Sequence, residues 1–174
     1  MAAYVALLRA VNVGGTGKLP MSDLKAMCEE LGFTNVKTYI ASGNVVYTSK
    51  LSAAKLQSLL EQRLEIYSGK SVGVHIRSAA EMQAVLNANP FPKAAGNRNI
   101  VIFLDEPPQP IVISKSTGLA DEKIVLGTRE IYVHYGEGMG QSKLKIPAAK
   151  LGTARNMNTV AKLVEMLETA QCAR

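Results

Sequence analysis

Val36-Lys37-Thr38-Tyr39-Ile40-Ala41-Ser42-Gly43-Asn44-Val45-Val46-Tyr47-Thr48 is the stretch on which the fold turns. Two β-rich runs, residues 36–41 and 44–48, flank Ser42-Gly43. β-branched and aromatic residues on either side of a glycine turn read as an antiparallel hairpin. Upstream, residues 4–8 form a short apolar run that reads as a buried strand. Past Pro20, Met21, Leu24, Met27, Cys28 and Leu31 recur at helical spacing, and Gly32 sits where a C′ glycine belongs, so the spacing predicts a helix over about 21–31. Downstream, Ser52 is placed to cap a second helix whose Leu56, Leu59, Leu60 and Leu64 share one face. Residues 72–76 supply a further strand. The order is β-α-β-β-α-β, the ferredoxin-like arrangement.

The second half partly repeats this plan. Ser78-Ala79-Ala80-Glu81 is a capping box opening a helix that stops before Asn89-Pro90. Residues 99–104 are a strongly apolar strand suited to the centre of a sheet, followed by Pro107-Pro108-Gln109-Pro110. Residues 123–126 and 130–135 form a hairpin around Gly127-Thr128, and a helical piece near 142–151 is started or interrupted by Pro147. A last helix carries Val160, Leu163, Val164 and Leu167 on one face. The expected class is α+β: two related ferredoxin-like subdomains packed together, residues 1–77 and 78–174, without a long linker.

Composition limits what such a chain can be. Its 174 residues suit one domain or two small intimate ones, long enough to bury a core without disulfide staples. A hydrophobic content of 47% with 20% charged residues is a globular balance. Tryptophan is absent, so the core must be mainly aliphatic. Cys28 lies on an apolar helix stripe and Cys172 near the chain end, a pattern of a buried hydrophobe and a tail thiol that suits a reducing compartment. No basic leader, and no stretch of about 18 apolar residues, marks a secretory or membrane protein. The expected location is cytoplasmic. The net charge of +6 is spread along the chain rather than blocked, which draws anions in general and argues only weakly for nucleic acid.

Two polar segments stand out from this background. Arg9-Ala10-Val11-Asn12-Val13-Gly14-Gly15-Thr16-Gly17-Lys18 follows the first strand, and Thr153-Ala154-Arg155-Asn156-Met157-Asn158-Thr159 leads into the last helix. Each joins an arginine, asparagine amides and a helix entry, groups that hold anions or carbonyl-rich ligands. The first resembles a phosphate loop, yet that motif needs glycine at position 12 and a hydroxyl at 19, where Asn12 and Leu19 stand. The hairpin also breaks the parallel order such a loop requires. Plainer roles exist for each residue. Arg9 could snorkel at a strand end, Asn12 could support a turn, and Asn158 is a good N-cap for the last helix. Ser42 and Asn44, either side of Gly43, form a third polar pair that a hairpin does not itself demand.

Leu7-Leu8-Arg9-Ala10-Val11-Asn12-Val13-Gly14-Gly15, Tyr39-Ile40-Ala41-Ser42-Gly43-Asn44-Val45-Val46 and the 153–159 segment together resemble the three signatures of the domain of unknown function family 1697. The similarity extends over nearly the whole chain, including Pro20-Met21 and Leu31-Gly32-Phe33. It implies an α+β protein of two related subdomains and little about activity. One departure is visible: the position after Asn156 is typically aromatic in the family, and Met157 weakens any stacking role there.

His75 and His134 stand far apart without carboxylate or cysteine at ligand spacing, so no metal site is expected. No G-x-S-x-G or H-E-x-x-H motif occurs, and nothing specifies a cofactor or decides whether the chain is an enzyme. Two main function classes stand. The first is a site for a small anionic or phosphate-bearing ligand in a polar cleft between the subdomains, formed by Arg9, Asn12, Gly14, Gly15, Lys18, Ser42, Asn44, Arg155, Asn156 and Thr159. The second is an RNA- or other nucleic-acid-binding module, suggested by the ferredoxin-like plan and the pI near 9.4. It would need outward aromatics such as Tyr4 and Tyr47 for base stacking. A protein-interaction domain without catalysis is a third, weaker reading.

Overall fold

β1 (Ala2–Leu8) lies inside a four-stranded sheet of order β2-β3-β1-β4, with β2 (Thr34–Tyr39), β3 (Asn44–Ser49) and β4 (Val74–Ser78), every pairing antiparallel. These strands, with α1 (Met21–Glu30) and α2 (Ala53–Ser68), complete the β-α-β-β-α-β plan. The computed structural model describes residues 1–14 and 17–173. It divides into one unit of residues 1–83 with 163–173 and a second of residues 84–162.

In the first unit, Ala6, Leu8, Val45, Tyr47, Val74 and Ile76 point from the sheet into a core completed by Leu24, Met27 and Cys28 of α1 and Leu56, Leu60 and Leu64 of α2. Phe33 stacks on Tyr47 at 4.5 Å between ring centroids. The opposite face of the sheet is buried too, through Ala3, Val5, Leu7, Val46, His75 and Arg77. Burial on both faces explains why β1 reads as a continuous apolar run rather than as an alternation. Ser52 caps α2 by accepting from the Lys55 N–H, and Gly69 ends it in the left-handed region at φ 72°.

The hairpin turn runs from Ile40 to Gly43, with Ile40 at φ 48° and Gly43 at φ 86°. Glycine is needed at 43 for space as well as for φ. A Cβ there would lie 2.6 Å from Val11 Cγ2 and 2.8 Å from Leu8 Cβ. The turn therefore presses against the loop that leaves β1.

The second unit repeats the topology. β5 (Asn99–Phe103), β6 (Lys123–Leu126), β7 (Glu130–His134) and β8 (Thr153–Asn156) form a sheet of order β6-β7-β5-β8, and α4 (Ile111–Lys115) lies between β5 and β6 in the chain. A 3₁₀ turn over Pro147–Leu151 stands where α2 stands in the first repeat. Ile102, Leu104, Val112, Ile131, Val133 and Ile146 form this unit's own cluster. An extra helix follows the fourth strand of each repeat: α3 (Ala79–Asn87) after β4, and α5 (Met157–Cys172) after β8. The box at the start of α3 is reciprocal: the Glu81 N–H donates to Ser78 Oγ, and the Ser78 N–H donates to Glu81 Oε2.

Three local features go beyond the sequence reading. Residues 153–156, expected only as a polar lead-in to the last helix, are an edge strand on β5, with Val101 opposite Arg155. Pro147 starts its helical piece, one of the two expected alternatives, and that piece is a short 3₁₀ turn, since a proline at the first position loses no intrahelical bond. The short α4 was not predicted at all. It follows three prolines and spans one turn, too brief for periodicity to register.

Candidate functional site

The polar residues singled out by sequence divide into those whose polar groups the fold consumes and those it leaves on an open surface. Asn12 is consumed. Its Nδ2 donates to the carbonyls of Leu19 at 2.8 Å and Ala41 at 2.7 Å, while its Oδ1 accepts from the Leu19 N–H at 2.6 Å. One amide thus closes the 12–19 loop on itself and ties it to the hairpin turn. Asn12 sits at φ 54°, a conformation asparagine tolerates better than most side chains. Asn44 is fully buried and donates to the Tyr39 carbonyl and to Ser42 Oγ, so this pair stabilises the hairpin from within.

The 153–159 segment is similarly occupied. Arg155 is buried, its Nη1 donating to Thr153 Oγ1 at 2.7 Å and to the Ala154 carbonyl at 2.8 Å. Desolvation lowers its pKa to about 10, which still leaves it charged at neutral pH. Asn156, not Asn158, caps α5: its Oδ1 accepts from the Thr159 N–H at 2.9 Å. Because β8 runs through residue 156, the helix begins one residue later and Asn158 falls inside its first turn. Thr159 is buried.

What remains open lies beside the loop after β1. A concavity of about 590 Å³ is lined by Asn12, Val13, Gly14, Gly17, Lys18, Leu19, Pro20, Met21 and Ala41. A second, of about 530 Å³, shares Gly17, Lys18 and Leu19 and continues to Ser68, Lys70 and Val72 past the end of α2. Lys18 is exposed and borders both. α1 starts at this rim behind Pro20, whose side chain provides no cap. Its carbonyl receives the Asp23 and Leu24 N–H groups, while Met21, the first helical residue, lines the cavity. Asp23 is held by the Tyr67 hydroxyl at 2.6 Å. Arg9 is exposed and outside this lining, its stem passing over Gly73. Gly15 lies outside the described residues.

Other chemistry is sparse. Burial, and then the nearby Glu29, pushes the Cys28 thiol up to about 12, far from thiolate reactivity. No group of three His, Cys, Asp or Glu side chains converges among the described residues, and no helix among them is long and apolar enough to cross a membrane. Tyr47 is fully buried in the first core, so its ring cannot take a stacked base. What sequence reasoning missed is where the polar capacity goes. Asn12 meets a carbonyl 29 positions away, a partner that no local pattern reveals.

Comparison with known proteins follows the fold. No curated protein matches the chain. Among solved structures, the conserved bacterial protein SP0830 from Streptococcus pneumoniae matches with a TM-score of 0.79 and 29% identity, covering 95% of this chain and 98% of that one. The model of the family described as protein of unknown function (DUF1697) matches residues 1–132, and the chain belongs to that family.

Proposed function

We propose that the chain binds a small anionic ligand, phosphate-bearing or carboxylate, at the mouth formed by the β1–α1 loop and the start of α1. The supporting observation is the conjunction at one rim of an exposed lysine, Lys18, glycines at 14 and 17, and a helix start without a side-chain cap. Backbone N–H groups at such a start carry partial positive charge, and glycine lets a ligand approach the main chain closely. Asn12 acts here as a positioning residue, since its three hydrogen bonds set the loop's shape rather than reach outward. The proposal rests on the first polar segment alone. Arg155 donates to Thr153 and Ala154, and Asn156 accepts from the Thr159 N–H.

Thermal denaturation with inorganic phosphate, sugar phosphates, nucleotides and small carboxylates tests this reading. A true ligand at about 100 times its dissociation constant should stabilise the protein by about 2.7 kcal/mol. Lys18→Ala, an exposed change, should keep the unliganded melting temperature and lose most of the shift. A flat response to every anion, or an equal shift in the variant, overturns the reading.

A further inference from the structure

β2 and β6 hold equivalent places at one edge of the two sheets, and the fold treats them differently. β2 is interrupted by a register shift between Thr34 and Lys37, with Asn35 at φ 54°. An irregularity of this kind twists an edge away from passing strands. β6 instead pairs with β7 in unbroken register, from Lys123 opposite His134 to Leu126 opposite Ile131.

The hydrogen bonds flanking β7 fix which way each β6 peptide group points. The Tyr135 N–H donates to the Arg98 carbonyl, and the Leu104 N–H donates to the Arg129 carbonyl. Residues 129 and 135 thus turn toward β5. Alternation along an antiparallel strand turns Ile131 and Val133 the same way and leaves Glu130, Tyr132 and His134 facing β6. The Gly127 N–H donates to the Glu130 carbonyl at 2.7 Å, in the same phase. Lys123 and Val125, opposite His134 and Tyr132, therefore spend their main-chain groups on β7. Ile124 and Leu126 direct theirs outward, where they meet no partner among the described residues. Two such residues at an unbulged edge, each offering a donor and an acceptor, are a template for another strand.

We infer that β6 pairs with β6 of a second copy of this chain, antiparallel about a two-fold axis at Val125, so that the two sheets continue into one. The strand is self-complementary in that register. Ile124 lies opposite the second copy's Leu126, and an outward pair of this kind exchanges both main-chain hydrogen bonds. Ile124 and Leu126 already pack at the margin of their unit's core, so their pairing extends that aliphatic face across the seam. On the other face Val125, 39% exposed, meets its own copy as a β-branched cross-strand pair. Lys123 falls opposite Gly127 and meets no like charge. Asp121 and Arg129 stand at opposite ends of β6, and the two-fold axis carries each toward its opposite charge in the second copy. Moving the axis to Leu126 would instead set Lys123 against Arg129, and a shift of half a residue would oppose outward groups to inward ones. Like charges directly opposite are destabilising, which selects the Val125 register. A closed isologous pair stops at two copies. The inference is independent of the anion site.

Sedimentation equilibrium of the full chain tests this, with reductant present because Cys172 is exposed and free. Small interfaces associate weakly, so the concentrations run from about 10 µM to about 1 mM. A reversible monomer–dimer equilibrium is expected. Amide exchange read residue by residue should slow at Ile124 and Leu126 as the dimer fills, while the Val125 amide, held by β7, stays protected throughout. Val125→Lys and Val125→Glu should each weaken association by about tenfold or more, since residue 125 faces itself across the axis. Both changes are at an exposed position, and circular dichroism checks the fold. Mixing the two variants should restore a heterodimer. A monomer over the whole range overturns the inference, as does a dimer that survives both variants. A mixture that stays monomeric, or concentration-dependent protection confined to residues outside β6, overturns it too.

Discussion

An arginine buried in a strand behaves as part of the scaffold. Arg155 is buried and donates to Thr153 Oγ1 and to the Ala154 carbonyl, both within 2.8 Å. Truncation would leave those acceptors under-satisfied and open a void the size of the side chain. Arg155→Ala should therefore cost about 3 kcal/mol in chemical denaturation while leaving any anion-induced stabilisation intact. Asn156→Ala should cost about 1 kcal/mol through the lost cap. Asn158→Ala, an exposed change inside the first helical turn, should stay within about 0.5 kcal/mol. An Arg155→Ala protein as stable as wild type but unable to respond to anions would return this residue to the binding site.

At the scale of elements, the loops around Glu122 show how one carboxylate can hold two irregular segments. Glu122 accepts from the Ser142 hydroxyl and from the Ala120 N–H, and a β-bridge between Thr117 and Lys145 joins the same two stretches. The Ser142 hydrogen bond, followed by that from Ala120, lowers the Glu122 pKa below its ordinary value. A depressed carboxylate contributes stability that is fully present above its unfolded pKa, about 4.3 for glutamate, and is lost as pH falls through the folded value. Wild-type protein should thus exceed Glu122→Gln in stability at neutral pH, with the gap closing on acidification. A gap that stays constant from neutral pH to about pH 3 would contradict the assignment. The same scale explains what sequence could and could not disclose. Helices with long apolar stripes, such as α2, and hairpins with clear turns, such as β6–β7, were legible because their periodicity spans several turns or pairs. β8 was not, since a four-residue edge strand of Thr, Ala, Arg and Asn looks like a polar loop until β5 pairs with it. The candidate site was legible as a polar loop before a helix. Its division of labour was not, because Asn12, Asn44 and Arg155 spend their hydrogen bonds on partners set by the fold.

At the scale of the molecule, chain order and compact units do not coincide. The first unit comprises residues 1–83 and also the chain's end from Leu163, so the last helix completes a unit whose other elements were written at the start. Leu163, Val164, Leu167 and Ala170 are all buried. Removing even one buried leucine side chain costs about 2–5 kcal/mol, against a total stability of about 5–15 kcal/mol for a typical domain. Losing the whole segment should exceed the available margin, although residues 1–83 contain every strand of the first sheet. A fragment of residues 1–83 is therefore expected to keep some far-ultraviolet helical signal, to lack a cooperative melt and to bind hydrophobic dye. The full chain with Leu167→Ala should still melt cooperatively at a reduced temperature. A 1–83 fragment that melts with the sharpness and midpoint of the full chain would show that the last helix is dispensable to the first unit.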